Sequence, residues 1–160
     1  MNQTLPAFEL FNEIGIIDQL IGTMFERAIP KGITRAQFTV LNHFVRLGLE
    51  ERSPAELASA FQITRPTMTS TLARMEAAGL VSIRADPADG RAKLVALTIR
   101  GRAMQAACIR ASQALSPLIE TLITDSEIET LLPILRRLRI GLDRAREPCA
   151  VRAGPVKPVT

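Results

Sequence analysis

Apolar residues recur along most of this chain at spacings of three and four, the period of a helix with one buried side. Leu10, Ile14, Ile17, Ile21, Met24 and Ala28 keep that rhythm without a break. Phe11, Leu20 and Phe25 widen the stripe, which predicts a helix over 6 to about 29 with more apolar surface than one neighbour would cover. Pro30, Lys31 and Gly32 end it. Thr34 with Gln37 is a capping box, and Phe38, Leu41 and Val45 are the expected buried face of a second helix. Ser53 with Glu56 is another, followed at once by Pro54, so a short third helix runs from there to about 61. Thr64 caps a fourth, with Arg65 and Pro66 in its first turn. Met68, Leu72 and Met75 face inward along it, and Glu76 falls near the core-facing boundary. Gly79 takes the left-handed position that stops the helix, with Leu80 folding back on Met75.

The pattern then shortens to strands at 81–84 and 93–97, separated by the turn formers DPADG. Thr98 caps a helix expected to run through Met104, Cys108 and Leu115, and Pro117 demands a kink or break there. Thr124 with Glu127 opens a last helix, where Ile128, Leu131, Leu135, Leu138 and Leu142 repeat in a heptad-like stripe and Pro133 is expected to bend the middle. The stretch 147–160 holds three prolines and Cys149 and reads as a mobile tail. The expected fold is mainly α with a small β-hairpin wing: a winged helix-turn-helix lobe over about 34–98, and helical dimerisation regions over about 5–30 and 99–146. The apolar stripes Leu10, Ile14, Ile17, Ile21 and Ile128, Leu131, Leu135, Leu138, Leu142 are the expected contacts with a second copy.

The outward face of the fourth helix carries Pro66, Thr67, Thr69, Ser70, Ala73 and Arg74, all small, hydroxylated or cationic. Short side chains let a helix backbone approach base edges in a major groove, and an arginine reaches a phosphate or a guanine. Charge strengthens that reading. The chain's formal net charge is +4, and the window 65–102 alone holds seven basic residues against the acids Glu76, Asp86 and Asp89. Arg91 and Lys93 stand at the hairpin tip, suited to a minor groove where negative potential is concentrated. A polyanion partner follows from this coincidence of charge with groove-sized elements.

RPTMTSTLARMEAAGLVSIRADPADGRAKLVALTIRG resembles the recognition helix and wing of the MarR family of bacterial transcriptional regulators, and IPKGITRAQFTVLNHF resembles the segment upstream of them. The likeness extends over about 5–142. Its most specific piece is Asp89-Gly90-Arg91 ahead of LVALT, matching a wing motif of Asp, any residue, Arg. The resemblance implies Arg91 in the minor groove and Asp89 holding a neighbouring arginine, Arg65 or Arg74. Gly90 stands where relatives often carry a second basic residue, which implies a more flexible wing with a weaker phosphate contact. Also implied are a homodimer, a double-stranded DNA partner, an aromatic or phenolic effector, and repression as the commonest outcome. Peroxide-sensing relatives carry a reactive cysteine in the first helix, where this chain has none.

Other functions find little support. At 160 residues and 47% hydrophobic content the chain can bury a core, and no apolar run approaches a membrane span. Two cysteines and one histidine make no metal spacing, no cofactor is called for, and a cytoplasmic location is the simplest. No nucleophile, paired carboxylate or glycine-rich phosphate loop suggests an enzyme. Phe11, Phe38 and His43 are the candidate effector-pocket residues; for His43 the plainer alternative is an ordinary, partly exposed side chain. A winged-helix protein-interaction module is the competing reading of the lobe as a whole.

Overall fold

The computed structural model describes residues 5–145; Cys149 and the expected tail lie outside them. In chain order the elements are α1 (Pro6–Ala28), α2 (Arg35–Leu47), β1 (Glu51–Arg52), α3 (Pro54–Ala60), α4 (Arg65–Ala77), β2 (Val81–Ala85), β3 (Lys93–Leu97), α5 (Ile99–Ser112), α6 (Ser116–Leu122) and α7 (Asp125–Ala145). The chain divides into two compact units, meeting at 116/117.

The helix starts are local chemistry. Thr34 and Ser53 each accept the N–H three residues on, while Gln37 and Glu56 return a side-chain oxygen to the cap's own N–H. Thr64 accepts from the Thr67 N–H and Thr98 from the Gly101 N–H. Each bond satisfies a donor the helix leaves open. Between α3 and α4 the chain turns through Gln62, held at φ 53°. At the end of α4, Gly79 has φ 69°, its N–H donates to the Glu76 carbonyl at 2.8 Å, and the Leu80 N–H reaches the Met75 carbonyl at 2.9 Å. That pair of bonds turns the chain directly from α4 to β2.

The core of the first unit gathers Ile29 and Ile33 with Val40, Leu41 and Phe44 of α2, Leu57 of α3, Met68, Leu72 and Met75 of α4, Val81, Val95 and Leu97 of the sheet and Cys108 of α5. The inward face of α4 is the expected one. That of α2 is rotated: Val40, Leu41 and Phe44 are buried, Phe38 lies at the rim against Phe25 with ring centroids 4.7 Å apart, and Val45 is exposed. Phe38 and Val45 lie within about 20° of one another on a helix of 100° per residue. They therefore mark the edge of the buried arc whose centre is Phe44.

The wing is a three-stranded antiparallel sheet in the order β1-β3-β2, rather than a two-stranded hairpin. Glu51 pairs with Ala96 and Arg52 with Val95. Two residues are too short for alternation to reveal. The β2–β3 register runs from Val81 opposite Leu97 to Ala85 opposite Lys93, placing Val81 and Ile83 inward and Ser82 and Arg84 outward.

After α5 a 3-10 turn over Gln113–Leu115 precedes α6, so the expected long helix stops short of Leu115. In the second unit the capping box is present, with the Thr124 N–H donating to Glu127 Oε2 at 2.8 Å. Helix α7 runs through Pro133 and buries no residue. Among the described residues no helix is long and apolar enough to cross a membrane.

Candidate nucleic-acid interface

Helices α3 and α4 form the helix-turn-helix, with α4 anchored by its three buried residues and presenting its opposite face to solvent. Arg65, Pro66, Thr67, Thr69, Ser70, Ala73 and Arg74 are all exposed. Thr67 is tied to the cap, its hydroxyl 2.8 Å from that of Thr64. Arg74 lies along its own helix, donating from Nε to the Ser70 carbonyl and from Nη2 to the Ser70 hydroxyl, both at 3.3 Å. These are exposed bonds that a phosphate can replace at small cost.

The wing tip is shaped by its aspartates. Asp86 Oδ1 accepts from the Ala88 N–H at 2.8 Å and Asp89 Oδ1 from the Arg91 N–H at 3.0 Å, while the Ala92 N–H closes back on the Asp89 carbonyl at 2.8 Å. Asp89 thus binds the backbone of Arg91, and among the described residues no ion pair joins it to Arg65 or Arg74, the partners the resemblance implies. An aspartate in a turn finds the N–H two residues on before it finds a distant guanidinium. Gly90 has no atom within 4 Å of where a Cβ would sit, so a larger residue would fit there.

Charge at the site is mostly uncompensated. Among the described residues the ion pairs are Arg35–Asp18, Arg84–Glu51 and Arg139–Asp143. Arg65, Arg74, Arg91 and Lys93 appear in none of them. Arg84 is the exception: its Nε and Nη2 reach the two carboxylate oxygens of Glu51 at 2.8 and 2.6 Å, a fork that pushes its pKa further up. A cleft of about 530 Å³ separates α4 from the wing, with Thr69, Ala73 and Glu76 on one wall and Ile83, Arg84, Arg91 and Lys93 on the other.

The model of the MarR family matches residues 31–92, the segment from the end of α1 to the wing tip. The transcriptional regulator HosA of Escherichia coli O111:H- is 30% identical over 129 residues, covering 80% of this chain and 93% of that protein. This chain is a MarR-family DNA-binding transcriptional regulator.

Solved structures of MarR proteins share its fold. A mutant of Escherichia coli MarR complexed with operator DNA is 27% identical at a TM-score of 0.68, covering 81% of this chain and 93% of that one. Bordetella bronchiseptica BpsR, whose DNA binding is regulated by 6-hydroxynicotinic acid, is 25% identical at a TM-score of 0.68, covering 82% and 98%. The MarR family is one of transcriptional regulators, not of enzymes.

The candidate effector residues of this MarR-family chain do not converge. Phe38 packs against Phe25 with the rings tilted by 48°, while His43 meets Phe61 with centroids 5.0 Å apart. The two lie about 140° apart around α2. Phe11 is exposed on α1. His43 has its pKa lowered by partial burial, then by the nearby Arg46 and Arg52. Ser53 lowers that of Glu56 through its N–H and hydroxyl, and burial raises that of the Cys108 thiol. Sequence reasoning missed Glu51 as the partner of Arg84, since β1 itself was invisible. It also misjudged Glu76, which is exposed and turns toward the wing: its Oε1 accepts the Ile83 N–H at 3.1 Å.

Proposed function

We propose that this regulator binds an inverted-repeat operator as a homodimer, represses a nearby gene or operon, and is released by a small aromatic or phenolic effector. The observation that carries the DNA-binding part is the pairing of a small, hydroxylated and cationic outward face on α4 with a wing whose Arg91 and Lys93 have no ion-pair partner among the described residues. Thr67, Thr69 and Ser70 meet bases or adjacent phosphates, Arg65, Pro66 and Arg74 position the helix, and Arg91 enters the minor groove with Lys93 on a phosphate and Asp89 shaping the tip.

Dimerisation is supported by apolar surface. Leu10 and Ile17 on α1 are 43% and 59% exposed, and on α7 Leu131, Leu135 and Leu142 are 42%, 41% and 54% exposed. Stripes of this size on single helices are unfavourable in water unless another chain covers them. A two-fold dimer sets the recognition helices about one DNA turn apart, roughly 34 Å. Effector release is supported by the regulated relative. Because Phe11, Phe38 and His43 face different surroundings, a ligand is to be sought by calorimetry across aromatic acids and phenols.

The test is an anisotropy titration of the full chain against the intergenic DNA upstream of its own gene and a scrambled control, at two salt concentrations. Saturable preference for the native fragment, weakening with salt as counterions are released, is expected. Equal binding to both duplexes, or a partner captured without salt dependence, would overturn the proposal in favour of a protein-interaction module.

A further inference from the structure

We infer that Glu76 is a positioning residue for DNA recognition, clasping the wing to the recognition helix so that α4 and Arg91 engage the duplex together. The inference rests on the reading that both elements contact DNA. It begins from an anomaly of charge. Glu76 is the only acid on α4, and it lines the cleft whose other wall carries Arg84, Arg91 and Lys93. By charge alone an acid there opposes a polyanion. What it supplies instead is a charge-assisted hydrogen bond, from the Ile83 N–H to Oε1 at 3.1 Å.

The placement explains why that bond matters. Strand β2 is at the edge of the sheet, so its outward N–H groups have no neighbouring strand to meet. Glu76 holds the helix-to-strand corner at two points: its backbone carbonyl accepts from the Gly79 N–H at 2.8 Å and its side chain takes the Ile83 N–H. Val81, Val95 and Leu97 seat the base of the sheet in the core. At the outer end of that base Ile83, the cross-strand partner of Val95, is only half-buried, and beyond it the strand leads on to the tip. At about 3.3 Å per residue the lever from Ile83 to the tip is about 15 Å. A swing of about 10° then displaces Arg91 by about 2–3 Å, enough to lose a hydrogen bond to a groove atom or phosphate.

The test uses the full-length protein and a duplex of about 30 base pairs that it selects from a random library, long enough for two half-sites. Glu76→Ala is expected to weaken binding about fivefold, in the range one net hydrogen bond supplies, with the melting temperature nearly unchanged because the group is exposed. Glu76→Gln keeps an acceptor of the same reach and stays within about twofold of the parent. Glu76→Asp keeps the charge but is one methylene too short, and behaves like alanine. Should alanine melt early, the glutamine and aspartate variants decide the matter between them. In a double-mutant cycle the penalty of Arg91→Ala, about tenfold in the parent, should fall below about threefold in the Glu76→Asp background. Tighter binding by both Ala and Gln would make Glu76 a repulsive charge only and overturn the inference, as would fully multiplicative penalties. If Arg91→Ala has no effect in the parent, the wing reading itself fails, and the clasp fails with it.

Discussion

Gly101 separates two arguments that predict opposite signs. It lies in the first turn of α5, and on helix propensity alone Gly101→Ala should stabilise the chain by up to about 1 kcal/mol. Tertiary packing reverses this. A Cβ built on Gly101 would stand 2.0 Å from the Leu80 carbonyl oxygen and 3.0 Å from its carbonyl carbon. Those are backbone atoms, and they are held: the Leu80 N–H is bonded to the Met75 carbonyl, while the Leu80 oxygen accepts from the Thr98 N–H and hydroxyl, each at 3.2 Å. Relief requires moving α5 away from the corner that ends α4. Overpacking costs about 1–3 kcal/mol, and a 2.0 Å approach to held backbone belongs at the upper part of that range, about 2–3 kcal/mol, so a net loss of about 1–2 kcal/mol remains after the propensity gain. For a chain of this size that lowers the melting temperature by about 2–8 °C. Gly15→Ala is the control, since nothing lies within 4 Å of its Cβ position and it points away from the stripe proposed for dimerisation; it should hold or raise the melting temperature. Calorimetry on the three proteins decides. A Gly101→Ala variant as stable as the parent would refute the close-packed corner.

Arg91→Ala is expected to weaken operator binding while leaving fold and dimer intact, and to reduce the slope of log affinity against log salt by about 1 if it neutralises a phosphate; unchanged affinity at moderate salt would remove the wing from the interface. Leu135→Asp puts a charge on the exposed stripe of α7, which a lone chain tolerates and a buried dimer contact does not, so sedimentation should show dissociation; a fully dimeric variant would show that α7 lies outside the interface. His43 gives a pH signature. Its folded pKa is lowered, so between about pH 6.5 and that lower value the unfolded chain binds the extra proton and stability falls as pH drops. His43→Gln should flatten the fall in melting temperature between about pH 7 and pH 5.5, and an identical pH profile would show that His43 is not its source.

Much of this molecule is local in origin. Thr34, Ser53, Thr64, Thr98 and Thr124 each start a helix by bonding within three residues of themselves, and Gly79 ends α4 through its own φ. Such features depend on neighbours in the chain, so residue order alone determines them. The inward face of α4, its polar outward face and the basic hairpin beside it follow in the same way from periodicity and turn chemistry. Contacts between distant residues were left for tertiary structure to decide. Strand β1 exists because Glu51 and Arg52 find β3 more than forty residues later, and a two-residue strand has no period of its own. The same folding brings Glu51 to Arg84, turns the Glu76 carboxylate to the edge of β2 and sets Gly101 against Leu80. It rotates the buried arc of α2 toward Phe44 and sends Phe38 and His43 to different partners. Each outcome depends on which surfaces meet, and an amphipathic pattern states only that a surface must be covered, not by what.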